Sequence, residues 1–294
     1  MKLQKFGNTV RTMTLSHKPF VYFGTPYVSR DTLEALFAAG FIPSLVVTSP
    51  DAPKGRGQEL QPSETKEWAL AHELPVFTPE KFAPDAIEKI RAVGAEYGIV
   101  VAYGKILPKP LIDIFPLGLI NIHYSLLPKY RGASPVESVL LNEETVTGVA
   151  IQQMVHELDA GDILASEEVP IVETETTREL RPRLIAIGAQ LLVDILPEFE
   201  AGALTPVPQN HAEATKCGKI AKEDGLLDLA GDSRKNWNKY RAYAESPGTY
   251  FFVEKNGKQM RVKIKTARFE NGTFTPERIV PEGKKETLYS DFIK

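Results

Sequence analysis

A chain of 294 residues, 43% hydrophobic and 25% charged, has the composition of a soluble globular protein and is long enough for two domains. It has no apolar run near the roughly 20 residues of a membrane span and no apolar signal core at its N-terminus. With Cys217 as its only cysteine it excludes an internal disulfide or a cysteine-based metal cluster, so a reducing cytoplasm is expected. Net charge is −3, but residues 216–294 hold 17 Lys and Arg against 11 Asp and Glu. An acidic N-terminal part is thus joined to a basic one suited to an anionic partner such as nucleic acid.

Residues 1–17 read as a flexible extension, with Met13 as an alternative start. Phe20-Val21-Tyr22-Phe23 is a short apolar strand closed by Gly24-Thr25-Pro26. The helix after it, capped by Ser29 or Asp31, turns Leu33, Leu36 and Phe37 to one face and stops at Gly40. Leu45-Val46-Val47 follows as a strand, so the order implies a parallel pair with a right-handed crossover. The first strand lacks a following G-x-G-x-x-G, which argues against a dinucleotide cofactor. Residues 49–60 form a long loop with two prolines, two glycines, Lys54 and Arg56. The cations make it a candidate reaching element for phosphates.

A helix is expected over Ser63 to Leu74, with Trp68 and Leu70 in the core, then strand Pro75 to Phe77 and helix Asp85 to Val93. Tyr97 to Tyr103 is almost wholly apolar, as a strand covered on both faces should be. It runs into Gly104-Lys105-Ile106-Leu107-Pro108, an apolar loop able to line a slot for a flat ring or to pack in the core.

Leu119-Ile120-Asn121-Ile122-His123 is the next strand. Alternation puts Asn121 and His123 on one face at its C-terminal end, where ligands sit in open α/β sheets. The chain then turns through Ser125, Pro128 and Gly132. A helix from Pro135 to Leu141, a strand from Thr147 to Met154 and a strand from Ile163 to Val169 follow. The loop between these strands carries His156, read as a surface residue, and Asp159 and Asp162 around Gly161. Either carboxylate could be turn chemistry or could orient His123. Thr177 to Phe199 is a long amphipathic helix with Pro182 as a possible kink, and 202–210, with Pro206 and Pro208, reads as a linker. Beyond it come a helix over Asp232 to Ala244 and a hairpin over Gly248 to Lys265 with an Asn256-Gly257 turn. Arg261, Lys263 and Lys265 share one face of its second strand, as in a small barrel that binds nucleic acid.

Asn121-x-His123-x-Ser125-Leu126-Leu127-Pro128-x-x-x-Gly132, with Leu158-Asp159-Ala160-Gly161 downstream, resembles the signature of the 10-formyltetrahydrofolate-dependent formyltransferases. Phe23-Gly24-Thr25-Pro26, Ser49-Pro50-Asp51 with Gly55-Arg56-Gly57, and Val100 to Gly104 with Ile106-Leu107-Pro108 resemble the branch that formylates methionyl-initiator-tRNA. The resemblance is continuous from Phe20 to Ile171 and fainter after it.

It implies a Rossmann-like, mostly parallel α/β sheet over residues 18–203, a linker over 204–215, and a small, shortened OB-like β-barrel over 216–294. It implies Asn121, His123 and Asp159 as the catalytic trio, with no metal. Ser125, Leu126, Leu127, Pro128, Tyr103, Gly104, Ile106 and Leu107 would hold the folate co-substrate. Lys54, Arg56, Arg261, Lys263 and Lys265 would meet tRNA. The expected protein is a cytoplasmic monomer whose partners are initiator methionyl-tRNA and the folate, with no membrane. The alternative is a formyltransferase acting on a small amine, such as an amino sugar or glycinamide ribonucleotide.

Overall fold

The computed structural model describes residues 17–54, 57–255 and 257–293. The expected extension therefore lies outside the described residues up to position 16, Met13 included. His17 packs on the Phe41 ring and pairs with Glu200 at 3.4 Å.

Strand β1 (Phe20–Gly24) leads into helix α1 (Tyr27–Ala38). The helix starts earlier than expected because Pro26 takes the N-cap and its carbonyl accepts from the Ser29 and Arg30 N–H groups. Ser29 is therefore inside the helix, fully buried, with its hydroxyl on that of Tyr22. Strand β2 (Leu45–Val47) follows, and the expected loop contains a small hairpin, β3 (Ala52–Lys54) with β4 (Glu59–Gln61). An ion pair from Asp51 to Lys66 at 2.6 Å ties the base of this hairpin to α2 (Glu64–Ala71). Ser63 caps α2 by accepting from the Lys66 N–H. That phase buries Thr65 and Ala69 and leaves Leu70 54% exposed, against expectation. Trp68 is half-buried, edge-on to Phe37.

Next come β5 (Val76–Phe77), α3 (Pro84–Arg91), β6 (Tyr97–Val101), α4 (Lys109–Ile112) and β7 (Leu119–His123). After β8 (Arg131–Gly132) and α5 (Pro135–Leu141), strands β9 (Val146–Gln153) and β10 (Ile163–Pro170) form an antiparallel pair. Helix α6 (Thr177–Glu200) opens with a capping box between Thr176 and Glu179. It runs unbroken through Pro182, which lies on its exposed side near the start.

The main sheet has the order β10-β9-β7-β6-β1-β2-β5. It is parallel from β7 to β5 and antiparallel at β9 and β10. Alternation splits its core in two. Phe20, Tyr22, Ile99, Ile120 and Ile122 face α1 and α6 through Leu33, Leu36, Leu180 and Leu192. Val21, Phe23, Val100 and Leu119 face α3 and α4 through Ile87, Ile90 and Leu111. Each fully buried aliphatic chain contributes about 1.5–3 kcal/mol. Asn121 and His123 lie on this second face, at the C-terminal end of β7.

The segment after α6 does not hang free as a linker. Val207 bridges Ile163 in an antiparallel pair, and β11 (Lys216–Cys217) lies parallel to β8. The C-terminal part packs α7 (Ser233–Ala242) on an antiparallel sheet of β12 (Tyr250–Lys255), β13 (Lys258–Glu270), β14 (Thr273–Pro281) and β15 (Thr287–Leu288), closed by α8 (Tyr289–Phe292). Four strands agree with a small, shortened OB-like domain. No described helix is long and apolar enough to cross a membrane.

Candidate active site

The register of β7 places the site. Asn121 is paired with Val100 on β6 and with Gln152 on β9, so its amide stands between two fixed strands. It is half-buried and makes no side-chain hydrogen bond among the described residues. Two residues on, His123 is 5% exposed. Its Nε2 lies 2.8 Å from the carbonyl oxygen of Tyr130. A carbonyl only accepts, so Nε2 carries the hydrogen. Nδ1 then faces Oδ2 of Asp159 at 3.7 Å, an ion-pair distance rather than a hydrogen bond. Tyr130 takes φ +60, and this left-handed turn brings its carbonyl back onto the ring.

Asp159 also sits in a left-handed conformation, at φ +50. Oδ2 accepts from the Gly132 N–H at 2.8 Å and Oδ1 from the Gln152 amide at 3.0 Å. The carboxylate is therefore aimed before any substrate arrives. Asp162 does not join the trio, and its backbone carbonyl accepts from the Gln153 N–H. His156 is exposed, as expected of a surface residue. Sequence reasoning missed Gln152, Arg131 and Gln209, all buried around Asp159. Only the position of Arg131 inside the central motif gave any sign of them.

The residues expected to hold a folate fall on two loops at the same sheet edge. Ser125 is fully buried and its hydroxyl donates to the Lys129 carbonyl, so it shapes the turn. Leu127 is buried before a cis Pro128, and Leu126 is half-buried against Gly148. On the other loop Leu107 is core, Gly104 is exposed at φ +80, and Ile106 is 91% exposed. This loop is held by Lys105, whose Nζ donates to the Pro79 carbonyl at 2.9 Å, and by Thr25, which donates to the Tyr103 carbonyl at 3.0 Å. The hydroxyl of Tyr103 is buried without a partner among the described residues, and burial pushes its pKa up to about 12, so it is a neutral donor. The same loop thus carries a buried hydroxyl and an exposed apolar side chain.

Of the residues expected to meet tRNA, Lys54 ends β3, and Arg56 lies outside the described residues. Arg261, Lys263 and Lys265 do share one face of β13, opposite buried Val262 and Ile264. With Arg178 they line a groove between the start of α6 and the end of α7. The Arg261 guanidinium lies 3.5 Å from the Tyr250 ring centroid. No cluster of three His, Cys, Asp or Glu among the described residues is placed to hold a metal ion.

Residues 21–196 match the formyl transferase family, and residues 219–289 match the formyl transferase C-terminal domain. A methionyl-tRNA formyltransferase of Koribacter versatilis is 41% identical over 266 residues, 90% of this chain and 84% of that one. Another from Thermodesulfovibrio yellowstonii is 37% identical over 295 residues, 93% and 94% of the two chains. Among solved structures, an N-formyltransferase of Helicobacter canadensis in complex with folinic acid and dTDP-3-aminofucose aligns with a TM-score of 0.63 at 20% identity, covering 86% of this chain and 89% of that one. HypX of Aquifex aeolicus in complex with tetrahydrofolic acid aligns at 0.63 and 15% identity, covering 95% and 47%. At these identities the structural likeness shows the fold alone.

Proposed function

The chain belongs to the formyl transferase family, with methionyl-tRNA formyltransferases as relatives over nine-tenths of its length, and on that premise we propose that it moves a formyl group from 10-formyltetrahydrofolate to the amine of methionyl-initiator-tRNA. The observation that supports the reading is that Asn121 and His123 alternate onto one face at the C-terminal end of β7, with the Asp159 carboxylate 3.7 Å from the His123 ring.

The folate supplies the formyl carbon. The neutral amine attacks it, a C–N bond forms, the carbonyl oxygen gains negative charge, and the bond to the folate nitrogen then breaks. A proton passes from the amine to the leaving nitrogen. The unpartnered amide of Asn121 donates to the developing oxyanion. A preorganised donor of this kind is worth about 3–4 kcal/mol. His123 brings its Nδ1 edge to the same centre. Asp159 keeps the ring in orientation, offsets positive charge on it, and helps carry the proton. Tyr103, Gly104, Ile106 and Leu107 on one loop, with Ser125, Leu126, Leu127 and Pro128 on the other, hold the folate. Lys54, Arg56 and the cations of β13 contact tRNA phosphates, and the basic bias of the C-terminal part supports this, with Arg178, Arg261, Lys263 and Lys265 lining one groove. The protein acts in the cytoplasm, as a monomer.

The test offers methionyl-initiator-tRNA, glycinamide ribonucleotide and a nucleotide-linked amino sugar to the enzyme with 10-formyltetrahydrofolate. Transfer to the tRNA alone supports the reading. Arg56→Ala should then raise KM for the tRNA about tenfold and leave KM for the folate unchanged. Transfer to a small amine and not to the tRNA would refute the acceptor assignment.

A further inference from the structure

We infer that Gln209, clamped by Arg131, is a positioning residue that sets the turn delivering Asp159 to His123. The inference rests on the reading of Asp159 as a catalytic residue.

Gln209 falls in the stretch that composition marks as a linker, yet it is only 5% exposed. The bridge between Val207 and Ile163, with N–H to carbonyl distances of 2.8 and 2.9 Å, fixes its backbone beside the Asp159 loop. Its Nε2 donates to the Gly161 carbonyl at 2.6 Å and to the Asp159 carbonyl at 3.0 Å. Its Oε1 accepts from Nε and Nη2 of Arg131 at 3.1 and 2.7 Å. A guanidinium only donates, so the amide oxygen must face Arg131 and the amide nitrogen must face the two carbonyls. The amide therefore has one orientation and grips the turn on both sides of Ala160.

That turn needs holding. Asp159 is a non-glycine residue at φ +50, a conformation that the surrounding contacts must impose. Gly161 fits against the Gln153 carbonyl oxygen, which a Cβ would approach to 1.6 Å. The turn is thus crowded by β9 on one side and clamped by Gln209 on the other. Arg131 is itself 3% exposed and meets His211 Nδ1 at 3.1 Å and Glu157 at 3.9 Å. It precedes Gly132, whose N–H holds the Asp159 carboxylate. One two-residue strand thus orients both Gln209 and the carboxylate. Without the amide nitrogen, the backbone of the turn loses its clamp and only the Gly132 N–H and the Gln152 amide still hold the Asp159 carboxylate at its 3.7 Å approach to His123; a misplacement of about 1 Å can cost 100-fold in rate.

The experiment measures kcat and both KM values for wild type, Gln209→Ala, Gln209→Glu, Asp159→Asn and the Gln209→Ala/Asp159→Asn double variant. Gln209→Glu keeps the size and the acceptor toward Arg131 but turns an oxygen to the two carbonyls. It covers the case in which the alanine variant fails to fold. The expected result is a fall in kcat of about 10- to 100-fold for either Gln209 variant, KM values within about threefold of wild type, and less than about a twofold further loss on the Asp159→Asn background. An unchanged kcat, a change confined to KM, or the same factor on both backgrounds would overturn the inference. Wild-type activity in Asp159→Asn would instead overturn the reading of Asp159 itself.

Discussion

The N–H of Gly132 and the carboxylate of Asp159 meet at 2.8 Å, so the last residue of the central motif holds the acid that faces the motif's histidine. Two segments 27 residues apart in the chain are joined by this bond, and the geometry leaves no choice of residue at 132. Its φ is +125 and a Cβ there would sit 2.1 Å from the Cys217 carbonyl oxygen. Gly132→Ala is therefore expected to lower stability by about 2–3 kcal/mol and to reduce kcat as well. A urea melt with parallel kinetics checks both. Full stability would show that β8 and β11 can separate at no cost.

Tyr103 presents the opposite case, a buried hydroxyl with no partner among the described residues. Removing it costs the free protein nothing, and Tyr103→Phe should match or exceed wild-type stability. If the hydroxyl meets the folate, the same change raises KM for 10-formyltetrahydrofolate several-fold and leaves KM for the tRNA alone. A loss of stability without a change in KM would make the hydroxyl structural.

The junction between the two parts rests on Arg181. It bonds Glu137 on α5 and, at 2.7 Å, Glu245 beyond α7, which also accepts from the Tyr27 hydroxyl at 2.6 Å. Burial alone would lower the Arg181 pKa, but Glu137 and Glu245 outweigh it and hold the group charged. Arg181→Ala leaves Glu137 buried without its cation, and a loss of about 3 kcal/mol is expected. Denaturant unfolding measures it. A loss below about 0.5 kcal/mol, the scale of a surface pair, would refute the assignment.

Cys217 is half-buried, and its thiol donates to the Tyr130 carbonyl at 3.3 Å. Burial raises its pKa, so the protonated thiol persists to higher pH than in an open chain. The raised value contributes stability that is present below the ordinary thiol pKa and lost as pH rises through the folded value. Reaction with a disulfide reagent at neutral pH should be about tenfold slower in the native protein than in the unfolded chain. Equal rates would contradict the packing of β11 on β8.

The legible parts of the sequence were those with local periods. Alternation placed Asn121 and His123 together, whereas the loop pattern left Asp159 and Asp162 level and only the family resemblance favoured Asp159. The hairpin and its basic face followed from an Asn-Gly turn and a period of two. What escaped were contacts made by chain return. Gln152 reaches the site only because β9 runs antiparallel to β7, and Gln209 only because the segment after α6 folds back onto β10. Neither has a local pattern. Leu70 was misplaced for a related reason: its apolar character fits a core, but the Ser63 cap sets the helix phase and turns it outward. The hairpin within 49–60 was hidden by Pro53, which is tolerated because that ladder is two-stranded and its edges are free.

The most direct test is single-turnover formyl transfer to methionyl-initiator-tRNA at saturating 10-formyltetrahydrofolate, with wild type beside Asn121→Ala, His123→Ala and Asp159→Asn. The predicted result is a loss of about 100- to 1,000-fold in the Asn121 variant, large losses in the other two, and folded proteins throughout. Wild-type rates in a folded His123→Ala variant would contradict the assignment of the chemistry to this end of β7.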